Sequence, residues 1–457
     1  MQLNELGELT RDQLLKVTTA ISSAAISYAR RKAYYEAKNP QLLEAPAKKA
    51  PDNRVPGAFG GKIVDTMAGF MFRAGNITYS AEDAALQKTI EDTFNANDEE
   101  LHTAEIGKDL LVNGKGFEIL RMDEDGAGVR LYRCEPGTAL PVYDDTLARN
   151  MIAFVHLVSY SDYDDTPTYV RTTYYKNKHV TETSSSIAFE EDKTEREEKA
   201  HPFGEVNAVV YQCGMDALPI FEKVIPLIDE HDKIISSGYA DERERFASAY
   251  LLLLRKLQRT LDDKGKSDID KLAEIRIMDD LGSDGEIKSA ADGAAFLTKP
   301  SRGPDTAESA DRIERLIYDL AQVVNPNDIS AGTAVAGIAY KLKIMSMEFK
   351  AADIETYVSR ALQRRIRLIG NAKNVPEEKI RDVTIDFKRN IPTDIDALAD
   401  TAGKLVGIVS KETILRMFPT TVIPNVTAEL KKLEEETALM LPAFEEESEE
   451  GGEAQAQ

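Results

Sequence analysis

The chain is poor in the residues that most often carry chemistry. It has two cysteines, Cys134 and Cys213, five histidines and no tryptophan in 457 residues. Two thiols build neither a disulfide framework nor a four-cysteine zinc site, and they suit a reducing compartment such as a cytoplasm. The histidines, His102, His156, His179, His201 and His231, are scattered, with no H-E-x-x-H among them. No G-x-x-x-x-G-K-[ST] occurs. The nearest stretch, "AFGGKIVDT" (58–66), has two glycines and a lysine without the spacing that wraps backbone N–H groups around a phosphate. No apolar run approaches the ~20 residues needed to span a bilayer; the longest is "ASAYLLLL" (247–254). The opening "MQLNELGELTRDQLLK" is acidic early and has no apolar core, so no secretory signal is read there.

Positive charge is also short. Against 79 acidic residues stand 57 basic ones, a formal net charge of −22. Lysine and arginine are what neutralise DNA phosphates or hold an anionic membrane, so neither a gripping nucleic-acid binder nor a membrane-docked protein is expected. A chain this acidic that meets DNA has to be one that does not hold it. The densest acidic group near a histidine is "IDEHD" (228–232). A metal needs ligands that converge, whereas consecutive residues on a helix fan out around it. The group therefore reads as a solvated helical face, with a metal-dependent hydrolase on Asp229, Glu230, His231 and Asp232 as a remote alternative. No catalytic residue, metal ligand or cofactor is expected.

What is present is a regular succession of elements. Apolar spacing of three and four predicts helices over Leu9–Ala37, Gly61–Phe72, Glu82–Asn95 and Glu99–Val112, with a break at "NGKG" (113–116). From there to about Gln212 the period is two, with β-branched and aromatic residues and short turns, a meander of hairpins. The acidic run Glu190–Lys199 reads as an exposed loop or hairpin edge. Helix returns over Pro219–Phe246, then a strand over Ser248–Leu254. A charged, loop-rich module (255–300) follows, with short strands at Glu274–Met278 and Ala295–Thr298. A helix over Asp305–Val324 precedes a very long one from about Val335 to Ile369. The long helix carries the stripe Ile338, Leu342, Met345, Phe349, Ala352, Val358, Leu362, Ile366 and Ile369. A strand over Val383–Pro392, helices over Asp394–Val409, Lys411–Met417 and residues 428–437, and an acidic tail complete the chain. Within the long helix, Arg360, Arg364, Arg365 and Arg367 form a basic cluster, read as favourable charge near a helix C-terminus with acidic partners.

Between the last two long helices lies "NPNDISAGTAVAGIAYKLK" (325–343), polar and proline-broken at first, then glycine-punctuated. It holds no nucleophile–base pair and no metal spacing, which points to a mechanical part.

The order of parts resembles the portal (head–tail connector) proteins of tailed bacteriophages, of the siphophage type common in phages of Gram-positive hosts. Three stretches carry the similarity: "DNRVPGAFGGKIVDTMAGFMF", "VIPLIDEHDKIISSGYADERERFASAYLLLL", and the run from Ile313 to Ile369 containing the loop. Many relatives show Ser-Gly before Ala-Leu-Lys; here Ala336-Gly337 precedes Ala339-Tyr340-Lys341.

The resemblance implies a helix-rich α+β portal fold with wing, stem, clip and crown, closing into a ring around a central channel. It places an N-terminal helix and linker at 1–40, the wing at 41–218, stem helices at 219–247 and 305–324, and the clip at 248–304. It places the tunnel loop at 325–334, the long wing helix at 335–370, a wing strand at 371–393, the crown at 394–436 and an acidic disordered tail at 437–457. The implied partners are further copies of the chain (a ring of twelve), double-stranded DNA in the channel, and the terminase large subunit and head–tail adaptor at the clip. Major capsid or scaffold protein is implied at the wing. The implied location is the portal vertex of the virion, after assembly in the host cytoplasm. The loop residues Asn325, Asn327, Asp328, Ser330 and Thr333 are expected to face DNA, Gly332 and Gly337 to permit a kink, and Lys341 and Lys343 to lie beside the channel. A capsid-associated helical scaffold or adaptor without a channel is the alternative.

Overall fold

Thr10 opens the first helix, α1 (Arg11–Tyr35), with a reciprocal cap: its hydroxyl accepts from Gln13 N–H while the Gln13 side chain accepts from Thr10 N–H. This computed structural model describes residues 1–43, 54–123, 125–126, 128–161, 167–247, 250–253, 294–297, 303–325, 337–389 and 395–418, with short pieces of 422–433. In 238–247, 250–253, 294–297, 303–305, 337–343 and 395–397 the backbone alone is described. Two compact units divide the chain, residues 1–331 with 344–389, and residues 332–343 with 390–457.

In the first unit, α1 lays Leu14, Val17 and Ile21 on a five-stranded antiparallel sheet. Its strands run in order β4 (Ala139–Tyr143), β5 (Met151–Ser161), β6 (Pro167–Tyr174), β7 (Lys178–Ser184) and β8 (Thr194–Ala200). The period of two is visible in β5: Ala153, Val155 and Leu157 meet α1, while Phe154 points to the second core. There it joins Phe117, Ile119 and Ala208 of a three-stranded sheet whose central strand is β2 (Lys115–Met122), between β3 (Val129–Cys134) and β9 (Ala208–Gln212). The acidic run expected as a loop or edge is largely β8, an outermost strand whose charged residues deter pairing with another sheet.

Four further helices are α2 (Phe59–Met71), α3 (Ala84–Asn95), α4 (Glu99–Asn113) and α5 (Ile225–Ala247); α4 packs on the three-stranded sheet, and α2 and α3 pack on α4. Gly114 turns α4 into β2 at φ 79°, where a Cβ would lie 2.2 Å from the Ala217 carbonyl oxygen. The "NGKG" break is thus a turn that only glycine fits. The helix α5 starts later than the expected Pro219 because Ile220, Phe221 and Val224 are first buried through a 3₁₀ turn. It packs with α6 (Gly303–Ala321). Between them β10 (Tyr250–Leu253) and β11 (Ala294–Leu297) pair antiparallel. The expected strand Glu274–Met278 lies outside the described residues.

The long helix is α7 (Gly337–Ala372), 36 residues and about 54 Å. Its buried row is Ile344, Met347, Ala351, Ile354, Val358, Leu362 and Ile366. Met345, Phe349 and Ala352, expected on the same stripe, face water instead. The helix carries two apolar rows, and periodicity alone does not say which turns inward. After a short helix α8 (Glu377–Arg381), the strand β12 (Thr384–Phe387) pairs antiparallel with β1 (Ile77–Ser80), a partner the sequence reading did not supply.

In the second unit the expected helix Asp394–Val409 is shorter, α9 (Ile395–Leu405). It stops in a turn that bridges Val406 to Val409. Ser410 then caps α10 (Lys411–Arg416), its hydroxyl accepting from Thr413 N–H. The acidic tail lies outside the described residues. No described helix is long and apolar enough to cross a membrane.

Candidate functional site

The sequence directs attention to the exit from α6. The helix ends in a left-handed stop: Gln322 takes φ 58°, its N–H donates to Asp319 O (3.2 Å), and Val323 N–H donates to Tyr318 O (3.1 Å). Val323 is buried behind it. Asn325, expected to face DNA, is buried too. Its Oδ1 accepts from Lys62 Nζ at 3.2 Å and its Nδ2 donates to Glu314 Oε1 at 3.1 Å. Asn327, Asp328, Ser330, Gly332 and Thr333 lie outside the described residues. Gly337 is the first residue of α7, and Lys341 and Lys343 follow in its first two turns.

Lys62 comes from α2, and the two glycines before it have a packing role. A Cβ on Gly60 would lie 2.7 Å from Tyr34 O, and one on Gly61 2.8 Å from Tyr35 O. They let α2 cross the end of α1 at backbone distance, which is why "GGK" here is no phosphate loop. The Lys62 ammonium also sits 5.3 Å from the Tyr318 ring centroid, a cation–π distance. Tyr318 meets Phe59 edge-on at 6.2 Å, and Phe59 meets His231 at 4.7 Å. Lys62, Glu314, Tyr318, Phe59 and His231 line one open cavity of about 660 Å³.

"IDEHD" is not the solvated face expected of it. Asp232 is fully buried, accepting from Asn39 Nδ2 and Gly57 N–H, each at 2.8 Å. Asp229 accepts from Tyr34 O–H at 2.8 Å; burial, with that bond adding to it, pushes the phenol up to about 12. These carboxylates hold the C-terminal end of α1, the residue Asn39 after it and Gly57 before α2, and they diverge as helical neighbours do. Among the described residues no three His, Cys, Asp or Glu side chains gather as a metal site. Burial pushes the Cys134 thiol up to about 12 and the Cys213 thiol to about 11, leaving both without thiolate character.

The basic cluster on α7 turns out to be an internal anchor. Arg365 is fully buried, its Nε 3.0 Å from the Glu118 carboxylate and its Nη1 2.7 Å from Glu99 Oε1. Glu118 also accepts from Tyr211 O–H (2.8 Å) and lies 2.9 Å from His102 Nε2. Burial alone would raise the Glu118 carboxyl, but the Arg365 guanidinium and His102 outweigh it and hold it down at about 2. Arg364 donates to Ala208 O, Val206 O and Glu205. Nearer its start, α7 is tied by Glu348 and Glu355 to Arg389. The pairing foreseen for this cluster exists, but its centre is Arg365, which has no solvent contact. The signal that finds it is Glu118 itself, a lone carboxylate within the apolar strand "FEIL", which needs a buried cation.

A sheet-and-helix body thus holds a long helix and ties down Asn325 at the start of the polar segment before it. Among curated proteins none matches the chain. Among solved structures, a chain in the virion of a native gene transfer agent particle is 13% identical, over 85% of this chain and 91% of that one, with a TM-score of 0.40. One in the neck of the native particle, computed with C12 symmetry, is 12% identical over 79% of this chain and 89% of that one (TM-score 0.43). One in the neck of the empty particle, computed with C6 symmetry, is 12% identical over 78% and 88% (TM-score 0.41). The family model described as "Phage portal protein, SPP1 Gp6-like" matches residues 17–439, leaving only the two ends outside. The chain therefore belongs to the SPP1 Gp6-like phage portal proteins, a structural, non-enzymatic family of virion components, and serves as a portal connector.

Proposed function

We propose that the chain is one subunit of a closed ring, of twelve copies, that forms the DNA conduit at one capsid vertex, in a phage of the siphophage type from a Gram-positive host. The family match over 17–439 is the observation that carries this reading. In it, α5 and α6 are stem helices beside the channel, the module around β10 and β11 is the clip that meets the terminase large subunit and later the head–tail adaptor, and the second unit contributes the crown. The sheets and α7 form the wing, against major capsid or scaffold protein, and 325–334 is the tunnel loop.

Two physical features support it. Duplex DNA carries one charge per ≈1.7 Å of axis and would be gripped by a basic wall, so a chain of net charge −22 suits passage rather than retention. The single chain also leaves large apolar side chains in water along its helices: Leu320 (59% exposed) on α6, and Met345 (47%) and Phe349 (64%) on α7. A monomer gains nothing from such stripes, whereas neighbours in a ring cover them.

The test is removal of residues 327–333. Rings are expected to assemble as before while DNA packaging into capsids falls. Undiminished packaging by the shortened chain would show that the loop does not act on DNA.

A further inference from the structure

Asn325 stands between a cation and an anion. Its carbonyl faces the Lys62 ammonium at 3.2 Å, and its NH₂ faces the Glu314 carboxylate at 3.1 Å. The two charges fix the orientation of the amide. An aspartate there would set an anion against Glu314, and an apolar residue would satisfy neither partner. The partners come from separate helices: Lys62 is 263 residues away on α2, Glu314 is 11 residues back on α6.

Stopping α6 does not require this arrangement. The left-handed Gln322 already turns the chain out of the helix, and the bonds from Gln322 and Val323 close it on the Asp319 and Tyr318 carbonyls. The contacts at Asn325 come beyond that stop, at the first residue of the proposed tunnel loop. Lys62 is held in turn over the buried Tyr318 ring, and both charged partners line the 660 Å³ cavity.

We propose that Lys62, Asn325 and Glu314 form a clamp that sets the point and direction from which the tunnel loop leaves α6. Lys62 and Glu314 are then positioning residues for DNA passage, and Asn325 is an anchor and not a DNA contact. The inference rests on the portal reading and assigns work to residues outside the loop.

The experiment uses full-length chains in capsid assembly, with Lys62→Met, Glu314→Ala, Glu314→Gln, Asn325→Ala and the Lys62→Met/Asn325→Ala double variant. Ring formation by electron microscopy, thermal melting and nuclease-protected DNA per capsid are measured for each. Rings and melting close to wild type are expected throughout. Packaged DNA should fall about tenfold for Lys62→Met, Glu314→Ala and Asn325→Ala, as misplacing a working part does. Glu314→Gln, which keeps an acceptor for Asn325, should package as wild type. The double variant should be no worse than its worse single, because both act through one contact.

A direct DNA contact gives a different pattern: Asn325→Ala alone loses packaging while Lys62→Met and Glu314→Ala are silent. That pattern, or packaging by every variant, overturns the clamp. So does loss of packaging only in step with loss of rings, which marks a role in folding alone. Wild-type rings that package no DNA would sink the portal reading instead.

Discussion

Arg365 illustrates how much one side chain contributes to holding the long helix. It joins α7 to β2 through Glu118 and to α4 through Glu99 and Thr103, with no solvent contact. Arg365→Met leaves two carboxylates buried without their cation, and the expected loss is about 3–5 kcal/mol, read by denaturant unfolding. Combining it with Glu118→Gln and Glu99→Gln should recover much of that loss, because the penalty comes from unpaired charge. A second residue-scale expectation concerns His156 on β5. Burial, with Arg121 nearby, lowers it to about 4 from the usual 6.5. Its folded pKa lies below its unfolded one, so the unfolded chain binds more protons between those values. Stability therefore falls as pH drops from 6.5 towards 4, by ~3 kcal/mol at most from this group. Replacing His156 with glutamine should lessen the slope of melting temperature across that window, with His179, also lowered to about 4, supplying part of the remainder; an unchanged slope would assign it wholly to other groups. Residue identities were legible in the sequence, but partners were not. Nothing in "RALQRRIRLI" separates Arg365 from Arg364, since which one points inward depends on a strand some 250 positions away.

At the scale of elements, existence was more legible than orientation. The helices α1, α2, α3, α4, α6 and α7 lie close to where apolar spacing puts them, because each buries a face wide enough to show the 3.6 period. The pairing of β1 with β12 was not legible: two four-residue strands about 300 positions apart leave no local pattern. The long helix lies close to its expected extent, and its stripe is split: Val358, Leu362, Ile366 and Ile369 turn inward as expected, whereas Met345, Phe349 and Ala352 turn outward. Its second apolar row gives a prediction. Phe349 is exposed in the single chain, so Phe349→Glu should change its melting by little, on the order of 0.5 kcal/mol. In the proposed ring it meets a neighbour, and the same substitution should reduce assembly to monomers and small oligomers in sedimentation analysis. Rings at wild-type yield would show that no neighbour covers this row.

For the whole molecule the informative quantities are an order of parts and a charge. The order of parts was readable because it is a property of the chain. The proposed ring is not, because its closure would depend on surfaces that meet only between copies. Asn325 lies at that boundary: the sequence shows the polar segment it opens, but its partners Lys62 on α2 and Glu314 on α6 belong to the folded body. The central claim is that copies of this acidic chain close around a channel. Electron microscopy of the purified full-length protein tests it most directly. Closed rings of twelve subunits with a central hole wide enough for a duplex are the predicted result, and particles that stay monomeric or grow into open filaments under every assembly condition would contradict it.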